Sequence, residues 1–299
     1  MEYKQTKKML WTDIEISIIW NDERIERRLE TIFDFFASFE QEFSRFLPHS
    51  SVSMLNAYWE YEVSERFMEL MNLSKRFYSM TDWYFNPLVD LSKIWYGKDF
   101  MKNEFSIEER ESDTDFPKVR ISWRKIVLEK NQRLDFWWVG KWYAADLATQ
   151  ILHNFWYDDF FINAWWDIFA SWLNAKGKSW VVWIENPFDW SLLWTIDISW
   201  KAIATSGNYK RNWQIGGKKY HHILNPKTLG NNFEISSVTL IADKTSEADA
   251  LTKAIFNMTP KESLEFIEEN NLNWIIITGK GEIMTSKHIG DFGFSLIEN

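Results

Sequence analysis

The chain has no cysteine, which excludes disulfides, thiolate chemistry and a lipid-bearing cysteine. It has no run of about 18 apolar residues, the length a membrane-spanning helix needs. Its first residues, MEYKQTKKML, contain no apolar stretch of the signal-peptide kind. As written it reads as cytoplasmic, or as membrane-associated or exported should the true start lie upstream. Basic charge is also short: 34 Lys and Arg face 43 Asp and Glu, a net charge of −9. A general nucleic-acid or anionic-membrane binder needs clustered cations, so both classes are disfavoured, while a grip on one phosphorylated ligand is not.

Glycine is the most informative shortage. The 299 residues hold 11 Gly and 20 Trp, where ordinary usage of roughly 7% would give about 21 glycines. Tryptophan is in excess by about what glycine lacks. The positions sharpen the point: in INAWWD (Ile162 to Asp167) a strand ends and the chain must turn, which calls for residues that tolerate positive φ. Reading Trp as Gly at 11, 83, 95, 137, 138, 142, 156, 165, 166, 172, 183, 194 and 200 restores an ordinary glycine content. The expectation is an alternative genetic code, with UGA translated as tryptophan where the source reads it as glycine. Trp180 and Trp213 sit in strand-like or polar contexts and read as genuine; Trp20, Trp59, Trp123, Trp190 and Trp274 stay open. A truly Trp-rich protein would instead be a sugar binder that stacks glycans on aromatic faces.

What is there fits one large domain over residues 1–299, with two lobes around a cleft as an option. Ile25, Leu29, Ile32, Phe36, Phe39 and Phe43 recur at helical spacing after a cap at Asn21 or Asp22. Further helices are expected at Ser64 to Met80, Ala144 to Asn154, Glu247 to Asn257 and Pro260 to Asn270. Strands are expected near Ile14 to Ile19, Val119 to Leu128, Phe160 to Asn163, Trp180 to Ile184, Ile235 to Ala242 and Trp274 to Thr278. Glu104 to Pro117 reads as a charged loop. This mixed order favours an α+β fold. With glycines restored, DFWWVGKWYAAD becomes a strand end, a glycine turn with a lysine, and a helix start, a good phosphate cradle.

The stretches LWTDIEIS, SRFLPHSSVSMLN, TDWYFNPLVDL, DFWWVGKWYAAD, INAWWDI, ATSGNYKR, HHILNPKT and SVTLIADKTSEADALTKAIF occur in one order. In that order the chain resembles the FAD:protein FMN transferase family, also called the ApbE family, across nearly its whole length. The resemblance implies mixed or antiparallel sheets flanked by helices, FAD in a cleft, and Mg²⁺ near the pyrophosphate. It also implies transfer of FMN from FAD to a threonine hydroxyl of an acceptor protein, with release of AMP. Carried over by position, Leu10, where the family usually has methionine, and Met80, Thr81, Asp82, Asp135, Lys141 and Leu224 fall at FAD-contacting places; Thr205 and Ser206 either form only a turn after a strand or bind the FAD phosphates or the acceptor through their hydroxyls and N–H groups. Trp138, through its backbone carbonyl, Asp249 and Thr252 hold the metal. The chain departs from the family at Lys253, whose ammonium cannot ligate Mg²⁺, so that either Thr252 supplies the hydroxyl or Lys253 stands in for one cation. Leu229 intrudes in what is usually a T-G turn.

His222 is the candidate for proton handling, with a loop-holding hydrogen bond as its structural alternative; His221 is expected to face solvent. Asp167 suits a ligand or a loop-fixing role. Two further activities fit the same residues: FAD hydrolysis to FMN and AMP, and non-catalytic flavin binding with Lys253 disabling the metal chemistry.

Overall fold

The computed structural model describes residues 1–20, 23–89, 112–136, 139–215 and 217–296. The chain opens with a hairpin, β1 (Glu2–Met9) and β2 (Thr12–Ile19), joined through the two residues Leu10 and Trp11. Helix α1 (Ile25–Phe43) follows. Its N-cap is Arg24, without a side-chain capping bond; the expected cap residues Asn21 and Asp22 lie outside the described residues. Its buried stripe is the expected one, Ile25, Leu29, Ile32, Phe36, Phe39 and Phe43, with Phe33 added. Helix α2 (Ser51–Tyr58), strand β3 (Glu60–Glu62) and helix α3 (Glu65–Met80) come next, with Ser50 and Ser64 accepting from Ser53 and Phe67 N–H as N-caps.

The single strand expected at Val119 to Leu128 is instead a tight hairpin, β4 (Arg120–Ser122) and β5 (Lys125–Val127), because the chain reverses at Trp123 and Arg124. Helix α4 (Gly140–Asn154) starts four residues before the expected one. The chain then runs through β6 (Phe160–Ala164), β7 (Asp167–Ser171), β8 (Trp180–Glu185), β9 (Leu192–Ile198), β10 (Lys201–Gly207), β11 (Asn212–Ile215) and β12 (Lys218–His221). It closes with β13 (Ile235–Ala242), α5 (Thr245–Asn257), α6 (Pro260–Glu269), β14 (Asn273–Thr278), β15 (Ile283–Thr285) and β16 (Ser295–Leu296).

Among the described residues, eight strands form one antiparallel sheet in the order β1-β2-β6-β7-β10-β13-β14-β15. One face carries α1, α4 and α5, against which Ile14, Ile16, Phe160, Ile162, Val238 and Leu240 pack. Among the described residues, the three-stranded sheet β16-β9-β8 covers part of the opposite face. Ile168, Ile203, Ile241 and Ile275 meet Val182, Ile184 and Ile196 there. Strands β7 and β13 are therefore buried on both faces, which fixes their register, since a slip of one residue would exchange the two cores. The architecture is the expected α+β. No helix among the described residues is long and apolar enough to cross a membrane.

The backbone also bears on the tryptophans. Among the described residues, fifteen other than glycine have positive φ, and ten of them are Trp: 11, 59, 83, 123, 156, 165, 166, 172, 190 and 200. The β1–β2 loop (Leu10 φ 51°, Trp11 φ 59°) and the β6–β7 loop (Trp165 φ 58°, Trp166 φ 72°) are two-residue hairpin turns with both residues left-handed. That turn geometry normally selects Asn-Gly or Gly-Gly.

Candidate active site

A cavity of about 510 Å³ opens where the large sheet, α4, α5 and β8 meet. Strand β10 brings Thr205, Ser206 and Gly207 to it, and the start of β7 brings Asp167. Gly207 is required there, because a Cβ would stand 2.4 Å from the Tyr209 ring and 2.9 Å from the Ser236 carbonyl. Lys141 and Trp142 enter from the first turn of α4, Asp249 and Lys253 from one face of α5, and Arg211 and His222 from the two ends of the β11–β12 hairpin. Lys141, Arg211 and Lys253 thus meet Asp167 and Asp249 in one cavity, whose lining also includes Lys4, Lys210, Glu15 and Glu185, in a chain that is acidic as a whole.

The hydroxyls are held in two separate sets. Thr205 Oγ1 pairs with Thr239 Oγ1 (2.8 Å), Ser206 Oγ with Thr252 Oγ1 (3.0 Å), and Thr252 Oγ1 donates to the Asp249 carbonyl (2.8 Å). Asp167 Oδ1 accepts from Thr205 N–H (3.0 Å), so it fixes the β7–β10 junction as well as lining the cavity. Burial, and then the neighbouring Asp249, raise the Asp167 carboxyl well above the usual carboxylate range. Burial also raises Asp249, against the pull of Lys253. Burial together with Arg211 and Lys253 brings the Lys141 ammonium down to about 7. Such displaced values gather where charge is meant to change hands or to meet a ligand.

The expected residues do not all converge. His222, Lys141, Thr205, Ser206 and Asp249 line the large cavity. Leu10, Asp135 and Lys141 line a second cavity of about 40 Å³ beside it, so Lys141 is common to both. In this smaller space Asp135 is paired with Arg45 (2.7 Å). Met80 ends α3, and buried Thr81 donates to Phe77 O (2.7 Å) while accepting from Phe85 N–H. Asp82 pairs with Lys227 (2.7 Å), and buried Leu224 accepts from Asn257 through its carbonyl (3.0 Å). These four border neither cavity. Thr252 is buried behind Ser206, and Trp138 lies outside the described residues, as does Trp137.

His222 is kept neutral, its imidazole pushed well below the usual range by burial and by Arg211. Its Nδ1 faces the Arg211 carbonyl at 3.4 Å. A carbonyl only accepts, so Nδ1 carries the proton and Nε2 is the basic nitrogen. His221, expected in solvent, is instead fully buried between Phe233 and Phe256, its Nε2 against Asn232 O (2.8 Å). The turn after β12 drives it inward, and desolvation lowers it to about 4.

Asp249 as it stands does not fit a divalent cation. Lys253 Nζ donates to its Oδ1 across one helical turn, and among the described residues no three His, Asp or Glu gather as metal ligands. A lysine at that distance repels Mg²⁺ and offers no lone pair. Sequence reasoning missed two groups. Arg211 is the last residue of the stretch ATSGNYKR, and its place there, close after residues that line the cavity, was the available signal. Asp146 of α4 accepts from Thr245 N–H (2.7 Å), Ser246 N–H (3.2 Å) and Ser246 Oγ (2.5 Å), capping α5 from 99 residues away, and nothing local signals it.

The family model that matches this chain is that of the ApbE family, over residues 10–276. An FAD:protein FMN transferase of Escherichia coli K12 is 25% identical over 236 residues, 74% of this chain and 67% of that protein. One from Klebsiella pneumoniae is 27% identical over 147 residues, so the matched stretch spans 48% of this chain and only 42% of that relative's length. Among solved structures, the ApbE protein from Thermotoga maritima superposes with a TM-score of 0.89 at 24% identity, covering 98% of this chain and 99% of that one. The flavin transferase ApbE from Vibrio cholerae gives 0.84 at 18% identity, with 98% and 99% covered. At these identities the structural likeness speaks for the fold.

Proposed function

The chain belongs to the ApbE family, and on that premise we propose that it transfers FMN from FAD to a threonine hydroxyl of an acceptor protein, releasing AMP. The observation that carries this reading is that Lys141, Arg211 and Lys253 share one cavity with the end of strand β10, Thr205–Gly207. The pyrophosphate of FAD is a dianion, and the cavity lining carries five cationic side chains, Lys4, Lys141, Lys210, Arg211 and Lys253, against four carboxylates, Glu15, Asp167, Glu185 and Asp249, a positive excess for it to meet. In the step, the threonine oxygen forms a P–O bond to the FMN phosphorus while the bond from that phosphorus to the bridging oxygen breaks. AMP leaves with the bridging oxygen. His222 Nε2 takes the hydroxyl proton, and the cations hold the two phosphates in place. Magnesium, which the resemblance implies, does not fit Asp249 beside Lys253, so the charge on the phosphates is assigned to Lys141, Arg211 and Lys253.

The test supplies FAD to the protein and follows AMP by chromatography and covalent flavin on a threonine-bearing peptide by mass. AMP with flavinylated peptide supports transfer. AMP alone indicates hydrolysis, FAD binding without AMP a flavin carrier, and neither binding nor AMP removes the flavin reading.

The same site supports the glycine reading of the tryptophans. Trp165 and Trp166 line the large cavity and Trp11 the small one, all in left-handed turns. Left-handed backbone costs a residue with a Cβ about 1–2 kcal/mol. Ten such positions would together cost on the order of 10 kcal/mol, comparable to the whole net stability of a domain. On this reading the natural protein carries glycine at these ten positions, Trp59, Trp123 and Trp190 included, through a UGA codon read as glycine. Trp180 donates through Nε1 to Ser171 O (3.1 Å), which supports a genuine indole. Trp142, Trp183 and Trp194 have helix or strand backbone, which gives no support for glycine. Mass spectrometry of the fragment Trp142–Lys176 from the natural source decides the matter. Tryptophan at 156, 165, 166 and 172 there would end the reading.

A further inference from the structure

Strand β8 is the outermost strand of its three-stranded sheet, and among the described residues nothing pairs with its outer edge. Natural sheets guard such edges with charge, proline or cover, because unpaired N–H and C=O groups recruit other strands. The run Trp180–Ile184, WVVWI, has neither charge nor proline, and Val181 and Trp183 stand 47% and 54% exposed. Val181, Val182, Trp183, Ile184 and Glu185 all line the large cavity. A strand that offered only a face would contribute every second residue. Five in succession mean that the cavity runs along the edge.

The covering sheet is three strands wide over a sheet of eight, so space remains beside β8, above β6, β2 and β1. Phe161, Asn163, Glu15 and Lys4 floor that part of the cavity. A further strand about 4.8 Å from β8 would lie over them, and five residues of it would reach about 16 Å. The same cavity holds Lys141, Lys253 and His222.

We propose that the acceptor docks as an extended segment paired with the outer edge of β8, its hydroxyl residue carried toward Lys141 and His222. This rests on the flavin-transfer reading and adds how the acceptor is recognised. Main-chain pairing supplies the affinity and tolerates varied side chains. The indole of Trp183 is not needed, since the edge bonds through its backbone.

The test uses the intact protein, FAD and a library of short peptides with a central threonine. Flavinylated peptides are expected. In the best of them, methylating single backbone nitrogens should reduce transfer about fivefold or more at every second position and little between. Amide exchange across Val181–Glu185 should slow when that peptide is added. Transfer that tolerates methylation everywhere overturns the proposal, and so does a library without acceptors while FAD is cleaved. Exchange that slows with protein concentration alone marks a second copy of the chain on the edge and overturns it too. Failure to bind or cleave FAD has a different signature: it removes the flavin-transfer reading itself, and this proposal with it.

Discussion

Replacing Trp156 isolates the cost of a side chain in a left-handed turn. Helix α4 ends with Tyr157 N–H on Leu152 O (3.1 Å) and Trp156 N–H on His153 O (2.8 Å), and Trp156 has φ 65°. This is the helix ending whose left-handed residue is usually glycine. Trp156 is 82% exposed, so its indole contributes little burial. Trp156→Gly removes about 1–2 kcal/mol of backbone strain and gives back about 0.4–1 kcal/mol through a more flexible unfolded chain. The net expectation is stabilisation by about 0.5–1 kcal/mol. Trp156→Ala keeps the Cβ and with it the strain, so it should match the tryptophan. Urea unfolding reads the difference as a midpoint shift of about 0.2–0.3 M, for a slope near 3 kcal/mol/M. An alanine variant as stable as the glycine variant would refute the argument, because inside a helix alanine wins by about 1 kcal/mol.

Three further outcomes are expected. Asp146→Ala should cost about 3 kcal/mol in urea unfolding, since three donors at the start of α5 lose a charged acceptor; a loss under about 0.5 kcal/mol would contradict the capping role. Lys253→Thr removes the ammonium from Asp249, and the variant should bind Mn²⁺, seen as loss of the free-ion electron resonance signal, where the parent protein does not. Equal binding by both would show that Lys253 does not stand in for a cation. Lys141 titrates at about 7, and an anion selects its charged form. FAD, whose diester pyrophosphate keeps its charge across this range, should therefore bind with constant affinity below about pH 7 and more weakly as the pH rises through it, and Lys141→Met should flatten this; a parent profile flat from about pH 6 to about pH 9, on the order of this window, would refute the assignment.

Elements whose cause is local were readable in the sequence. Ser64 caps α3 as its position before an apolar helical pattern required, and α6 begins with Pro260 inside a Thr259–Glu262 capping box. Strand β13 matched its apolar run residue for residue. Strand β1 was missed because EYKQTKKM has no apolar alternation; it forms by pairing with β2 across a two-residue turn. The β4–β5 hairpin was read as one strand because tryptophan at 123 concealed a turn whose φ is 51°.

The site divided along the same line. The Asp249–Lys253 relation was visible as a four-residue spacing, which puts both on one helix face. Arg45 meets Asp135 across 90 residues and Asp146 meets Thr245 across 99, and no local pattern carries such pairs. The sequence by itself determined the α+β class and the helix faces, because caps and periodicity act within a few residues. Only the tertiary structure decided that His221 is buried, that Lys141, Arg211 and Lys253 share one cavity, and that β8 offers an unpaired edge along it. Those facts depend on which distant surfaces pack together and exclude water, and that packing is settled by the whole chain at once.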